Sequence, residues 1–152
     1  MRVLVDSSVW IDYFRAGAND DGLDDLIDNN LVATNDLILT ELVPYLLLRE
    51  QRRIVELLYT VEKIELTIDW GQLIQWQYRC LKQGFNGVGI PDLIIAQNTV
   101  QNSCLLFSLD NHFELIKEIV RIELFNLPRT HTNIHRRVYC SLRLAGKSIG
   151  HG

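Results

Sequence analysis

The chain has 152 residues and a net charge of −4, and 47% of its residues are hydrophobic. This length supports one hydrophobic core, so we expect a single folded domain. Its three cysteines form no Cys-x-x-Cys pair, which argues against a disulfide-stabilised secreted protein and a cysteine zinc site. Its longest apolar run, residues 42–48, is too short to span a bilayer, which argues against a membrane protein. We therefore predict a soluble cytoplasmic protein.

Predicted strands and helices alternate along the first 125 residues. Short apolar segments predict strands, and longer segments with apolar residues every three or four positions predict helices. This alternation is typical of a parallel sheet covered by helices, so we predict a three-layer α/β/α sandwich with a mainly parallel central sheet. In chain order the predicted elements are strand 2–6, helix 7–15, helix 20–30, strand 31–34, helix 35–51, helix 52–61, strand 63–66, helix 69–84, a loop and helix over 86–103, strand 104–107, helix 111–119 and strand 120–125.

Two of these segments have unusual composition. Residues 35–51 are apolar on nearly every side of a helix, which predicts a buried helix that Pro44 either bends or begins. Residues 86–90 form a glycine-rich loop, and Pro91 suits the first turn of the helix that follows.

Residues 129–152 differ in composition from the rest of the chain. They contain five basic residues and no acidic one, which leaves residues 1–128 with a charge of −9. The segment also lacks the periodicity of a helix or strand, so we interpret it as a basic tail, either mobile or foreign to the native chain, with a nucleic-acid-binding arm as the alternative. Because the preceding domain is acidic, a phosphate-binding site in it needs added cations.

Four acidic residues occupy positions where a buried charge needs compensation. Asp6 and Asp110 directly follow predicted strands, and Asp92 opens a predicted helix; each of them could simply cap a helix or interact with its dipole. Glu41 lies in the middle of the apolar helix, where an unpaired carboxylate costs on the order of several kcal/mol. We therefore expect a positive charge to meet Glu41.

The predicted sheet offers one place for these acids to meet. The carboxyl ends of parallel strands converge on one crevice, so the four carboxylates are expected to lie close together there. Carboxylate ligands suit Mg²⁺ or Mn²⁺ rather than zinc, and one or two such ions can activate water for attack on a phosphodiester. The predicted metal ligands and catalytic residues are Asp6, Glu41, Asp92 and Asp110.

Four segments occur in the order "VLVDSSVWID", "LTELV", "IPDLIIAQ" and "LFSLDNHF". This ordered set resembles PIN-domain ribonucleases, and more narrowly VapC-type toxins of toxin–antitoxin systems, over about residues 1–127. The resemblance implies a PIN-like nuclease domain at 1–128 that cleaves RNA with Mg²⁺ or Mn²⁺, forms a homodimer and is inhibited by a cognate VapB-like antitoxin. The four predicted acids match the family's acidic site.

His112 departs from the family pattern. It stands in the last of the four segments, where a second acid is often found. Since imidazole suits softer metals than Mg²⁺, we expect His112 to be an exposed helix residue rather than a metal ligand, and its role stays open.

Three other classes of protein place acids at strand ends. A phospho-receiver domain needs paired acids after the first strand and a lysine after a late one, but Ser7 and Ser8 follow Asp6 here. A haloacid-dehalogenase-type phosphatase needs Asp-x-Asp at the same place. A non-catalytic binding module with an acidic pocket also stays open, although it would need another reason for Glu41.

Overall fold

A computed structural model describes residues 1–15 and 20–126 of the chain, without the side chains of residues 20–21. The predicted basic tail at 129–152 lies outside the described residues and stays a prediction. Within the described part of the chain, no helix is long and apolar enough to cross a membrane. The elements are β1 Val3–Val5, α1 Ser7–Arg15, α2 Asp20–Asp28, β2 Val32–Thr34, α3 Asp36–Leu48, α4 Arg52–Leu58, β3 Glu62–Lys63, α5 Trp70–Lys82, α6 Ile90–Gln101, β4 Leu105–Phe107, α7 His112–Lys117 and β5 Glu123–Leu124.

The strands form one five-stranded sheet in the order β3-β2-β1-β4-β5, in which every neighbouring pair is parallel. β1 is central and pairs with β2 on one side and β4 on the other. The predicted α/β/α fold is therefore confirmed, with a sheet that is wholly parallel among the described strands. Because β1 and β4 are neighbours, the residues that follow them emerge side by side at the same edge.

Side chains of successive β1 residues enter different cores, as the two-residue period of a strand requires. Val3 and Val5 pack on the face covered by α1, α2, α3 and α4. Leu4 packs on the other face, with residues of α5, α6 and α7. Each face of the sheet is thus covered by helices, which explains why the buried strands consist of continuous apolar runs.

The expectation that α3 is buried on nearly all sides is wrong. Only one side of the helix is buried: Leu39, Leu42 and Leu46 join the core with α1, α2 and α4, and Ile38 joins the other core. Glu41 is exposed. Pro44 lies inside the helix and does not mark its start, which is set by the Asn35 side chain accepting a hydrogen bond from the Ile38 N–H at 2.8 Å. The buried residues of α3 are Ile38, Leu39, Leu42 and Leu46.

Candidate active site

Asp6 is the central residue at the carboxyl edge of the sheet. It follows β1, is only 4% exposed, and its N–H donates to the Phe107 carbonyl at 2.9 Å. Its Oδ2 accepts hydrogen bonds from Ser8 Oγ at 2.7 Å and from Ser108 Oγ at 2.9 Å. Two hydroxyl groups from adjacent strand ends therefore hold this buried carboxylate in one orientation.

The same two serines fix the loop that follows β4. Ser108 Oγ accepts from the Asp110 N–H at 3.0 Å, and Ser8 Oγ accepts from the Leu109 N–H at 3.1 Å. Asp110 Oδ1 in turn accepts from the His112 N–H at 2.9 Å, although the N-cap residue of α7 is Asn111 and not Asp110. Asp6 and Asp110 consequently belong to one hydrogen-bonded unit.

Asp92 lies opposite this loop in the first turn of α6. Its Oδ2 accepts from the Gly89 N–H at 3.1 Å and lies 3.1 Å from His112 Nδ1. His112 Nδ1 is also 3.3 Å from Asp110 Oδ1. One ligand atom from each of these three side chains lies within 4.8 Å of the others, which is the spacing of a possible metal site.

The position of His112 differs from the sequence-based expectation. We expected an exposed helix residue, but the imidazole nitrogen lies between the carboxylates of Asp92 and Asp110. The available signal was its place in the last motif, where the family often has an acid. Sequence could not show that the first residue of α7 faces α6, because this depends on the hydrogen-bonded loop after β4.

Glu41 reaches the crevice from α3. Its Oε2 accepts a hydrogen bond from Ser7 Oγ at 2.7 Å. Burial raises its pKa, the Ser7 bond lowers it, and the charges of the other three acids raise it further. Among the described residues no Lys or Arg forms an ion pair with Glu41, so the positive charge expected for it is not supplied by a side chain there.

The structure also raises the pKa of Asp92. Burial is the main cause, and the charge of Asp110 adds to it, whereas the Gly89 N–H and His112 act in the opposite direction. A bound divalent cation would offset both the cost of burying a charged carboxylate and the repulsion from Asp110. Carboxylate oxygens are the ligands that Mg²⁺ and Mn²⁺ prefer, so the carboxylates of this site suit the predicted ion.

Two buried asparagines connect the helices that carry Glu41 and Asp92. Asn35 Nδ2, at the start of α3, donates to Asn98 Oδ1 of α6 at 2.9 Å, and Asn98 Nδ2 donates to the Glu65 carbonyl at 2.9 Å. Both asparagines are at most 1% exposed. The sequence did not indicate a role for either asparagine, because the hydrogen-bond partner of an amide side chain cannot be inferred from the sequence.

Gly87 gives a test of the His112 position. A Cβ atom at residue 87 lies 3.2 Å from His112 Nε2, so Gly87→Ala pushes the imidazole by a few tenths of an ångström. We predict that Gly87→Ala weakens Mn²⁺ binding about tenfold, the usual effect of losing support for a ligand. Calorimetric titration measures this, and the His112→Ala background is the control. An equal loss in that background would show that Gly87 acts independently of His112.

Comparison with known proteins shows two similarities. A profile described as PIN domain matches residues 3–119, a range that contains all five residues of this site. A chain in the crystal structure of VapBC2 from Rickettsia felis, bound to a DNA fragment from their promoter, is similar in fold with a TM-score of 0.66. The two chains are 18% identical, and the alignment covers 84% of this chain and 100% of that one. No curated protein matches the sequence.

Proposed function

The chain belongs to the PIN domain family, and from this premise we propose that it is a metal-dependent endoribonuclease of the VapC toxin type. PIN domains are generally nucleases. The observation that carries the proposal is the convergence of Asp92, Asp110 and His112 beside a buried Asp6, with Glu41 under the electrostatic influence of all three acids. Family membership also argues against the phospho-receiver and phosphatase alternatives.

The side chains of the site have different proposed roles. Asp92, Asp110 and His112 would hold a divalent ion, with Asp6 and Glu41 completing its surroundings. When bound, such an ion polarises the scissile phosphate and lowers the pKa of an attacking water.

Glu41 is the residue best placed to take up a proton. Ser7 occupies its Oε2, which leaves Oε1 to accept a proton from the attacking water. Ser8 and Ser108 act as positioning residues, since they hold the Asp6 carboxylate toward the crevice.

The proposed partners follow from the same family. VapBC2 of Rickettsia felis binds a DNA fragment from their promoter, and we propose that this chain likewise assembles with a VapB-like antitoxin that inhibits it. We also propose that the chain forms a homodimer. The similar fold supports the antitoxin assignment, and the homodimer is what the resemblance to VapC-type toxins implies.

The cleavage experiment tests the proposed activity directly. Purified chain is incubated with a mixture of structured and single-stranded RNAs, first in excess EDTA and then with Mn²⁺ or Mg²⁺ restored. We expect no cleavage in EDTA and recovery with either ion, because carboxylates dominate the ligand set. Full cleavage in EDTA would contradict the metal mechanism, and no cleavage under any condition would contradict the nuclease assignment.

A further inference from the structure

One buried hydrogen bond joins the side chains of Asn35 and Asn98, which we name the asparagine pair. The two residues are 63 positions apart in the chain, and Asn35 is 0% exposed and Asn98 1% exposed. Breaking a hydrogen bond that is shielded from water leaves a buried polar group without a partner, which is unfavourable. The pair therefore holds the start of α3 at a fixed place beside α6.

Each amide makes a second hydrogen bond that fixes its orientation. Asn35 Oδ1 accepts from the Ile38 N–H at 2.8 Å, so its Nδ2 is the group that faces α6. Asn98 Nδ2 donates to the Glu65 carbonyl at 2.9 Å, so its Oδ1 is the group that faces α3. The donor and the acceptor of the pair are thus set by the elements to which they belong.

Two other amides of α6 bind the segment between β3 and α5. Gln97 Nε2 donates to the Asp69 carbonyl at 3.1 Å, and Gln101 Nε2 donates to the Thr67 carbonyl at 2.9 Å. These bonds hold α6 independently of α3. If the asparagine pair is broken, we therefore expect α6 to keep its place and the start of α3 to move.

The asparagine pair lies at the same distance along each helix from a residue of the candidate site. Glu41 is six residues after Asn35, and Asp92 is six residues before Asn98. Six residues correspond to about 9 Å along a helix axis. Because packed helices shift as units, a displacement of the start of α3 relative to α6 changes the position of Glu41 relative to Asp92.

We propose that Asn35 and Asn98 are positioning residues, which set the place of Glu41 relative to the metal-binding side chains. The inference rests on the proposed function, in which Glu41 accepts a proton from the attacking water. The metal-binding side chains belong to α6 and to residues 110–112, so they stay together when α3 moves. Loss of the pair should consequently lower kcat and leave the affinity for metal unchanged.

Asn35→Ser breaks the pair and keeps the start of α3. A serine hydroxyl can accept the Ile38 N–H as an N-cap, but it has no amide to reach Asn98. We expect kcat for RNA cleavage at saturating Mn²⁺ to fall about tenfold or more, since a misplacement of about 1 Å can cost a hundredfold. The Kd for Mn²⁺, measured by calorimetry, should stay at the wild-type value.

Gln101→Ala is the matched control, because it removes an amide-to-carbonyl bond from the same helix and keeps the bond between α6 and α3. It should retain the wild-type kcat. Circular dichroism melts set the assay temperature below the unfolding transition of every variant. A folded Asn35→Ser with the wild-type kcat overturns the positioning role, and so does an equal loss in Gln101→Ala. A wild type that cleaves no RNA overturns the proposed function instead.

Asn98→Ala breaks the same bond from the side of α6 and serves if Asn35→Ser does not fold. Residues that act only through each other have non-additive effects, so the double variant should lose no more kcat than the more impaired single variant. Losses that multiply in the double variant would show that the two asparagines act separately, and would overturn the pair.

A distance measurement tests the displacement of α3 in the absence of metal and RNA. Spin labels are attached to Thr40→Cys on α3 and Val100→Cys on α6, two exposed positions, in a Cys140→Ser background whose other cysteines are buried. Excess unlabelled chain restricts the signal to distances within one chain. We expect Asn35→Ser to shift or broaden the distance by about 1 Å or more, the scale of misplacement that impairs catalysis. A distance distribution identical to that of the wild type overturns the proposal.

Discussion

We expect Asp92→Asn to lower the rate of RNA cleavage by about a hundredfold or more. The substitution removes a ligand charge from the group formed with Asp110 and His112, and loss of even a supporting contact to a metal ligand commonly costs ten- to a hundredfold. The asparagine oxygen can still accept the Gly89 N–H bond, so the start of α6 is preserved and the loss reports on chemistry rather than folding.

Cleavage rates at saturating Mn²⁺ measure this effect. Glu56→Gln is the matched control, because it removes one exposed carboxylate from α4 without touching the site. The control should cleave at the wild-type rate. An Asp92→Asn variant that also cleaves at that rate would show that Asp92 has only a structural role.

Without metal, Asp92→Asn is expected to melt at a higher temperature than the wild type at pH 7.5. The folded-state pKa of Asp92 is raised by burial and by Asp110, so the folded state binds its proton more tightly than the unfolded state, whose pKa is about 4. Its contribution to stability is therefore present below that value and is lost as pH rises through the raised pKa. At pH 7.5 the ionised carboxylate is a cost that asparagine does not have.

Metal reverses this order. Mn²⁺ at a hundredfold excess over its dissociation constant should stabilise the wild type by about 2.7 kcal/mol, and Asp92→Asn by much less. Thermal melts at pH 5 and pH 7.5, in EDTA and in Mn²⁺, measure both effects, with Glu56→Gln again as control. If the metal-free variant melts lower and Mn²⁺ shifts both proteins equally, Asp92 is a structural helix-end residue.

The sequence was sufficient to predict the order of elements and the central sheet. Buried parallel strands are continuous apolar runs, and residues 3–5, 32–34 and 105–107 were identified for that reason. The outer strands were predicted longer than they are, since β3 and β5 contain only two residues each. The apolar residues next to these strands lie in loops, and local periodicity cannot distinguish an apolar loop from a strand.

The sequence predicts the position of a site residue where that residue directly follows a strand. It does not do so where the position depends on how helices pack. Asp6 and Asp110 follow strands, so their shared edge could be inferred. Glu41 was misplaced in the core because exposed apolar residues such as Leu47 and Leu48 gave α3 the composition of a buried helix. The exposed apolar residues of α5, such as Ile74 and Tyr78, could not be predicted for the related reason that exposure is a property of the assembled fold.

The hydrogen bond from Ser108 to Asp6 joins residues 102 positions apart in the chain. A ribosome releases the segments in order, so a nascent chain holds Asp6 and Glu41 well before β4 and the loop with Ser108 and Asp110 emerge. β1 lacks one of its two neighbours until then, and pairing over such a separation is slow. The proposed nuclease therefore cannot acquire its activity during translation until the ribosome has released β4 and the loop that follows it.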